Sequence, residues 1–408
     1  MNNTQKLVIR FILLICITLS NFFGIGNGEA NFNVLDYGAI GDGKNDDSQA
    51  ILKAWEAVCG KGKSSATLEI PAGKTFLLQP TVFAGPCKTN SPHFQVMGKM
   101  VAPEDPNAWQ KCGGCWLSFL RVQNLILDGS GQIDGQGSSW WKGKKTKCQR
   151  PIALQFDNCN NLQLSGLTHL NPPEAHISIY GSHSAHLTNL HIYAPEDSPN
   201  TDGIKIGGST HVQIHDSVIA TGDDCIAIVN GSNYINISNI ACGPGHGISV
   251  GSLGELGSFA AVEGVRVYNC SFNGTMNGAR IKTWQGGRGY ARKIHFDKIT
   301  LLAARNPIII DQNYCDLDSC YNHKTSVEVS DVTYSGFEGT SADVQAITMS
   351  CSASPGCLNI TMNGINITSS VPGKDIFASC NNAKGTSRNT VPTVPCLSKK
   401  SFNNSNYI

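Results

Sequence analysis

The chain has 408 residues, with 31 basic and 30 acidic side chains and a formal net charge of +1. Only 15% of the residues are charged, so no global field draws it to nucleic acid or to a membrane surface, and an anionic ligand would have to be met by a few well-placed cations. The length would suit two or three domains, yet no Pro/Ser-rich linker or low-complexity break divides it.

At the start of the chain, Lys6 and Arg10 lie around an apolar run from Phe11 to Leu19, and Gly28 and Ala30 supply small residues suited to a cleavage site. This reads as a signal peptide over residues 1–30. A membrane anchor would need roughly 20 apolar residues, and Asn21, Asn27 and Glu29 interrupt the run. The mature chain, 31–408, is then expected outside the cell as a single domain, a monomer with no membrane contact. Its charge is formally zero, because Lys6, Arg10 and Glu29 leave with the leader.

Next comes the one strong helical pattern, over 46–59, with Ile51, Trp55, Val58 and Cys59 on one face. Asp46 or Asp47 is placed to cap it, and Asp46 with Gln49 resembles a capping box. Beyond it, short apolar triplets bounded by Gly, Asn or Ser recur at Ile177 to Ile179, Ile204 to Ile206, Ile226 to Ile228, Ile248 to Val250, Ile281 and Ile308 to Ile310. A second series interleaves at Leu187, Val212, Ile235, Val265, Ile294 and Val327. The centres Ile204, Ile226, Ile248 and Ile281 step by 22, 22 and 33 residues, which is solenoid spacing. Strands this short cannot bury a face alone, so the economical fold is all-β: a parallel β-helix, with the helix covering its N-terminal edge. Leu253 to Glu263 and Ala84 to Gly114 break the rhythm and are candidates for groove walls.

Sixteen cysteines, fifteen after loss of Cys16, fit an exported, disulfide-bonded chain with at least one thiol left over. Close spacings fall at Cys112 and Cys115, Cys225 and Cys242, Cys315 and Cys320, Cys351 and Cys357, and Cys380 and Cys396. Cys225 with Cys242 is the pair placed to pin the turn before a triplet. Sequons at Asn230, Asn236, Asn269, Asn273, Asn359, Asn366 and Asn403 agree with export.

Four polar motifs sit on consecutive coils: Asn200-Thr201-Asp202-Gly203, Gly222-Asp223-Asp224-Cys225, Gly245-His246-Gly247 and Arg280-Ile281-Lys282. Any one alone reads as a turn or a solvated strand face. Together they are in register, since Asp202, Asp224 and His246 each precede a triplet centre by two positions. Neighbouring coils about 4.8 Å apart would stack them. Three carboxyls, with Asp223 beside Asp224, cannot all ionise freely, so an acid and a base would coexist. Arg280 and Lys282 point to one face, with Lys205 at the equivalent place on its own strand, giving a cationic shelf for a carboxylate.

These motifs resemble the polygalacturonases, a glycoside hydrolase family of plants and microbes. The likeness runs from Phe32-Asn33-Val34 and Asp36-Tyr37-Gly38-Ala39 through Gly41-Asp42-Gly43 to Asp311-Gln312-Asn313-Tyr314. It implies a right-handed parallel β-helix that hydrolyses α-1,4-galacturonan in cell-wall pectin with inversion, needing no cofactor or metal. It implies Asp223 as general acid, Asp202 and Asp224 as the pair activating water, and His246 as support for the acid. Arg280 and Lys282, with Tyr314, would hold the uronate carboxylate. The chain departs from the plant pattern at Lys205, where those members usually carry His.

Endo attack is the first expectation. Exo-acting galacturonosidase of the same family, a calcium-dependent pectate lyase and a catalytically silent pectin-binding β-helix are the alternatives.

Overall fold

The computed structural model describes residues 30–62, 65–109, 113–142, 148–315, 323 and 325–399. The leader expected over 1–30, apart from Ala30, and Cys112, Cys320 and the sequon at Asn403 lie outside the described residues.

Period-2 apolar triplets become strands, and the strands stack into coils. Eleven strands form one parallel sheet, from Thr81–Ala84 through Ile177–Tyr180, Ile204–Gly207, Ile226–Ile228, Ile248–Leu253, Asn277–Trp284 and Asn306–Tyr314 to Phe377–Asn381. The remaining sheet strands pair in parallel register along the other faces. The winding is a right-handed β-helix, the sense that parallel crossovers favour. Inside it, Leu154, Ile177, Ile204, Ile226, Ile248, Ala279 and Ile308 form one register-matched buried row. Each large aliphatic side chain so buried contributes roughly 1.5–3 kcal/mol. Towards the N-terminal end Phe83, Phe119 and Phe156 stack, with centroids 4.9 and 5.5 Å apart.

The corners explain the asparagines. Asn189, Asp216, Asn239 and Asn269 all adopt left-handed φ between 52° and 55°, a region short polar side chains tolerate. Asn269 Nδ2 donates to Asn239 Oδ1 at 2.7 Å, and Asn239 Nδ2 donates to Asp216 Oδ1 at 2.7 Å.

Three details differ from expectation. The helix is Ser48–Gly60, burying Ile51, Ala54, Trp55 and Val58, and no capping box forms. Asp46 Oδ1 accepts from Ser48 N, while the Asp47 carboxylate accepts from Ile40 N and Gly41 N, tying the preceding loop instead. Second, Ile248 pairs with Ala279 and Val250 with Ile281, so the longer coil holds two residues fewer than the triplet centres suggest. Third, the first part of Ala84 to Gly114 continues the winding: Pro92–Val96 and Lys99–Val101 pair with Ala66–Ile70 and Thr75–Leu77 as a coil.

Disulfides join Cys59 to Cys87, Cys225 to Cys242, Cys351 to Cys357 and Cys380 to Cys396. Cys148 and Cys315 are also disulfide-bonded. Among the described residues Cys115, Cys159 and Cys270 are free thiols, so the short spacing of Cys112 and Cys115 does not mark a bridge. Cys59 to Cys87 had no spacing signal, because it ties the capping helix to the next coil.

Candidate active site

The eleven-stranded sheet carries, along its outer face, a cleft of about 780 Å³. It is lined by Asp202, Asp223, Asp224, His246, Arg280, Lys282, Lys205 and Tyr314 together with Arg150 and Glu174. Thus every residue singled out from the sequence as catalytic or substrate-binding reaches one surface.

The turn carrying Asp223 and Asp224 is fixed from several sides. Thr201 Oγ1 accepts from Gly222 N at 3.0 Å, and Thr221 Oγ1 donates to Asp223 O at 3.0 Å. Gly222 sits so close to the previous coil that a Cβ would fall 2.0 Å from Ser198 O. The Cys225 to Cys242 bridge, with Cα atoms 6.0 Å apart, ties the strand behind it.

Asp223 Oδ1 lies 2.9 Å from His246 Nδ1 and accepts the Asp224 backbone N–H at 2.8 Å. Both contacts end on Oδ1, which leaves Oδ2 for a ligand. His246 N also donates to Asp223 O at 2.7 Å, so the imidazole and the carboxyl are held as one unit.

Asp224 is almost fully buried and surrounded by donors. Its Oδ1 accepts from Arg280 at 2.5 Å and from Ser249 Oγ at 2.7 Å; its Oδ2 accepts from Lys282 Nζ at 3.0 Å. Arg280 Nε in turn donates to Ser249 Oγ at 2.8 Å. Burial alone would push the Asp224 carboxyl up, but Arg280, Lys282 and the Ser249 hydroxyl outweigh it and hold it below the usual carboxylate range. Asp202 goes the other way: burial first, then the charges of Asp223 and Asp224, push it well above that range. The cluster therefore holds a carboxyl biased towards its charged form beside one biased towards its protonated form.

The cationic shelf is not free, as the motif alone suggested, because both its members are ion-paired with Asp224. Lys282 Nζ also lies 5.3 Å from the centroid of the Tyr314 ring, which packs edge-on against Trp284. Lys205 occupies the register row Lys205, Ala227, Ser249, Arg280, three coil steps of about 4.8 Å from Arg280. Asp202 shares the coil of Lys205, and Asp223 and Asp224 stand one coil on, towards Arg280.

Sequence reasoning missed Ser249, Arg150 and Glu174. Ser249 was visible as the outward residue of the Ile248 to Val250 triplet, in the same row as Arg280. Arg150 reaches across to donate to Pro199 O at 2.7 Å and to Asn200 Oδ1. Glu174 is pushed up by burial and drawn down by Lys205 and Arg150. Nothing in its local sequence marks it, since it enters the cleft only through the winding.

Asp223, Asp224 and His246 also present one ligand atom each within 4.8 Å of one another. The donor set is ill suited to a cation, because both Asp224 oxygens are committed to Arg280, Lys282 and Ser249. Two resident positive charges would also repel it.

Comparison with known proteins agrees with this geometry. The family model described as glycosyl hydrolases family 28 matches residues 59–392. A protein named "Probable polygalacturonase" from Arabidopsis thaliana is 50% identical over 381 residues, covering 92% of this chain and 82% of that one. A polygalacturonase from Chamaecyparis obtusa is 43% identical, covering 87% and 70%. Among solved structures, the endo-xylogalacturonan hydrolase of Aspergillus tubingensis superposes with a TM-score of 0.75 at 26% identity, over 91% of this chain and 99% of that one. A polygalacturonase from Erwinia carotovora gives 0.71 at 23% identity, over 88% and 97%, and supports the fold. Since the family model spans most of the winding, cleft included, the chain belongs to family 28 of the glycosyl hydrolases.

Proposed function

We propose that the chain is a polygalacturonase that hydrolyses α-1,4-galacturonosidic bonds of homogalacturonan in cell-wall pectin. The mature unit, 31–408, works outside the cell after residues 1–30 are removed, as a monomer. The observation that carries this reading is the gathering of three carboxyls, Asp202, Asp223 and Asp224, in one cleft with Arg280, Lys282 and Lys205. Hydrolysis requires an acid and a base at one pH, and a polyuronide requires cations for its carboxylates.

Asp223 Oδ2 gives its proton to the glycosidic oxygen as the bond to C1 breaks. Water, oriented by Asp202 and Asp224, adds to C1 from the opposite face, and the base carboxylate takes its proton. His246 fixes the Asp223 carboxyl. One uronate carboxylate meets Arg280 and Lys282 beside Tyr314, and a second, across the scissile bond, meets Lys205. The lining runs from Arg150 to Tyr314 along several coils, long enough for an internal stretch of polymer, which supports endo attack.

A second assignment has its own support, because the carboxyl with the raised proton affinity is Asp202, which would make Asp202 the acid. An oligogalacturonide with an aryl leaving group separates the two. It needs no protonation, so it restores turnover to Asp223→Asn if Asp223 is the acid and to Asp202→Asn if Asp202 is.

The activity itself is tested by digesting polygalacturonate with and without EDTA and following the products. Saturated oligomers of mixed length, with the first-formed anomer inverted by proton NMR, are expected. Products with ultraviolet-absorbing unsaturated ends, lost in EDTA, would show a lyase instead. Pectin binding without cleavage would show a binding protein.

A further inference from the structure

Five of the eleven histidines, His183, His186, His191, His211 and His215, lie on two successive coils. None of them lines the cleft. They face outward from the other sheet, where Thr188 pairs in register with His215 and His186 with Gln213. The rings of His186 and His215 lie with centroids 4.7 Å apart. Their Nε2 atoms approach to 2.6 Å.

The other side of His215 is equally ordered. Its Nδ1 lies 2.6 Å from Asp216 Oδ2 and 3.1 Å from Thr188 Oγ1. Asp216 is fixed in turn by Asn239 Nδ2, which donates to Oδ1 at 2.7 Å. With Nδ1 turned to the Asp216 carboxyl, the His215 ring aims Nε2 at His186.

We propose that His186 and His215 form a binding site for a divalent transition-metal ion, held by the two Nε2 atoms, with water completing its coordination and Asp216 as the outer carboxylate. Imidazole donors select zinc, copper or nickel over calcium and magnesium, which take oxygen ligands. A carboxylate on the far nitrogen is the arrangement that orients a ligating histidine and raises its basicity. Metal–nitrogen bonds of about 2.0–2.1 Å in a tetrahedral site place two nitrogens roughly 3.3 Å apart. Small rotations of two solvent-facing rings open the present 2.6 Å contact to that value. The ion takes the place of the single proton between the rings. His186 carries that proton on Nδ1 instead, so no net proton is released.

Calorimetric titration of zinc chloride into the full-length protein tests the site. Wild type is expected to bind one zinc ion per chain. His186→Gln/His215→Gln should weaken binding by at least about ten-fold, and Asp216→Asn by about 10–100-fold. Copper(II) bound to wild type should show coupling to two nitrogens by electron paramagnetic resonance. In metal-free buffer the double histidine variant should keep its circular dichroism and its hydrolysis of polygalacturonate, because neither ring touches the cleft. Absence of zinc binding by wild type, or equal binding by the double variant, overturns the proposal. So does loss of the zinc ion on Asp223→Asn, which would place it in the cleft.

Discussion

At Asp224 two positive side chains converge on one carboxylate shielded from water, and that geometry makes its charge state depend on its partners. Lys282→Met removes one of them and lets burial push the carboxyl up. The acid limb of kcat/KM should therefore move to higher pH, and an unmoved limb would show that Asp224 is not the titrating base. The same depression stabilises the fold above the unfolded carboxylate pKa, and this contribution is lost as pH falls through the lower folded value. Asp202 has the opposite sign. Its raised folded pKa costs nothing while both states are protonated; the penalty grows as pH rises above the unfolded carboxylate pKa towards the raised folded value, and is constant beyond it. Asp202→Asn should consequently raise the melting temperature at pH 7 and change it little near pH 3, at the expense of activity. Equal effects at both pH values would contradict the raised affinity. The sequence showed these carboxyls in register but not their opposite shifts, because the burial of Asp202 and the donor from Ser249 come from neighbouring coils.

Among the elements, the strand after Asp224 is held by the disulfide from Cys225 to Cys242. Replacing both cysteines by serine should cost about 2–4 kcal/mol. It should also lower kcat, since the bridge backs the turn that presents Asp223. Unchanged denaturant midpoint and turnover would refute both roles. The triplets and their 22-residue steps were legible because an aliphatic row must repeat once per coil. The register after Ile248 was not, because Ala279 is the inward partner there and Ile281 is the more conspicuous residue. The coil within Ala84 to Gly114 was hidden for a related reason: Pro92–Val96 offers Phe94 and Val96 among polar neighbours, not an isoleucine triplet.

Over the whole molecule, a net charge near zero leaves recognition to the cleft, where Lys205 shares the coil of Asp202 and Arg280 and Lys282 are paired with Asp224. The fold class and the ordered motifs were readable from one chain. The ion-pairing of Arg280 and Lys282, the reach of Arg150 and the entry of Glu174 were not, because each depends on which coils the winding places together. Reducing-end release from polygalacturonic acid by wild type and Asp223→Asn, with product lengths followed in parallel, tests the central claim most directly. Saturated oligomers of mixed length from wild type, falling by about 10²–10⁴-fold in the variant, are the expected result. Undiminished release by Asp223→Asn, or no release by a folded wild type that binds the polymer, would contradict it.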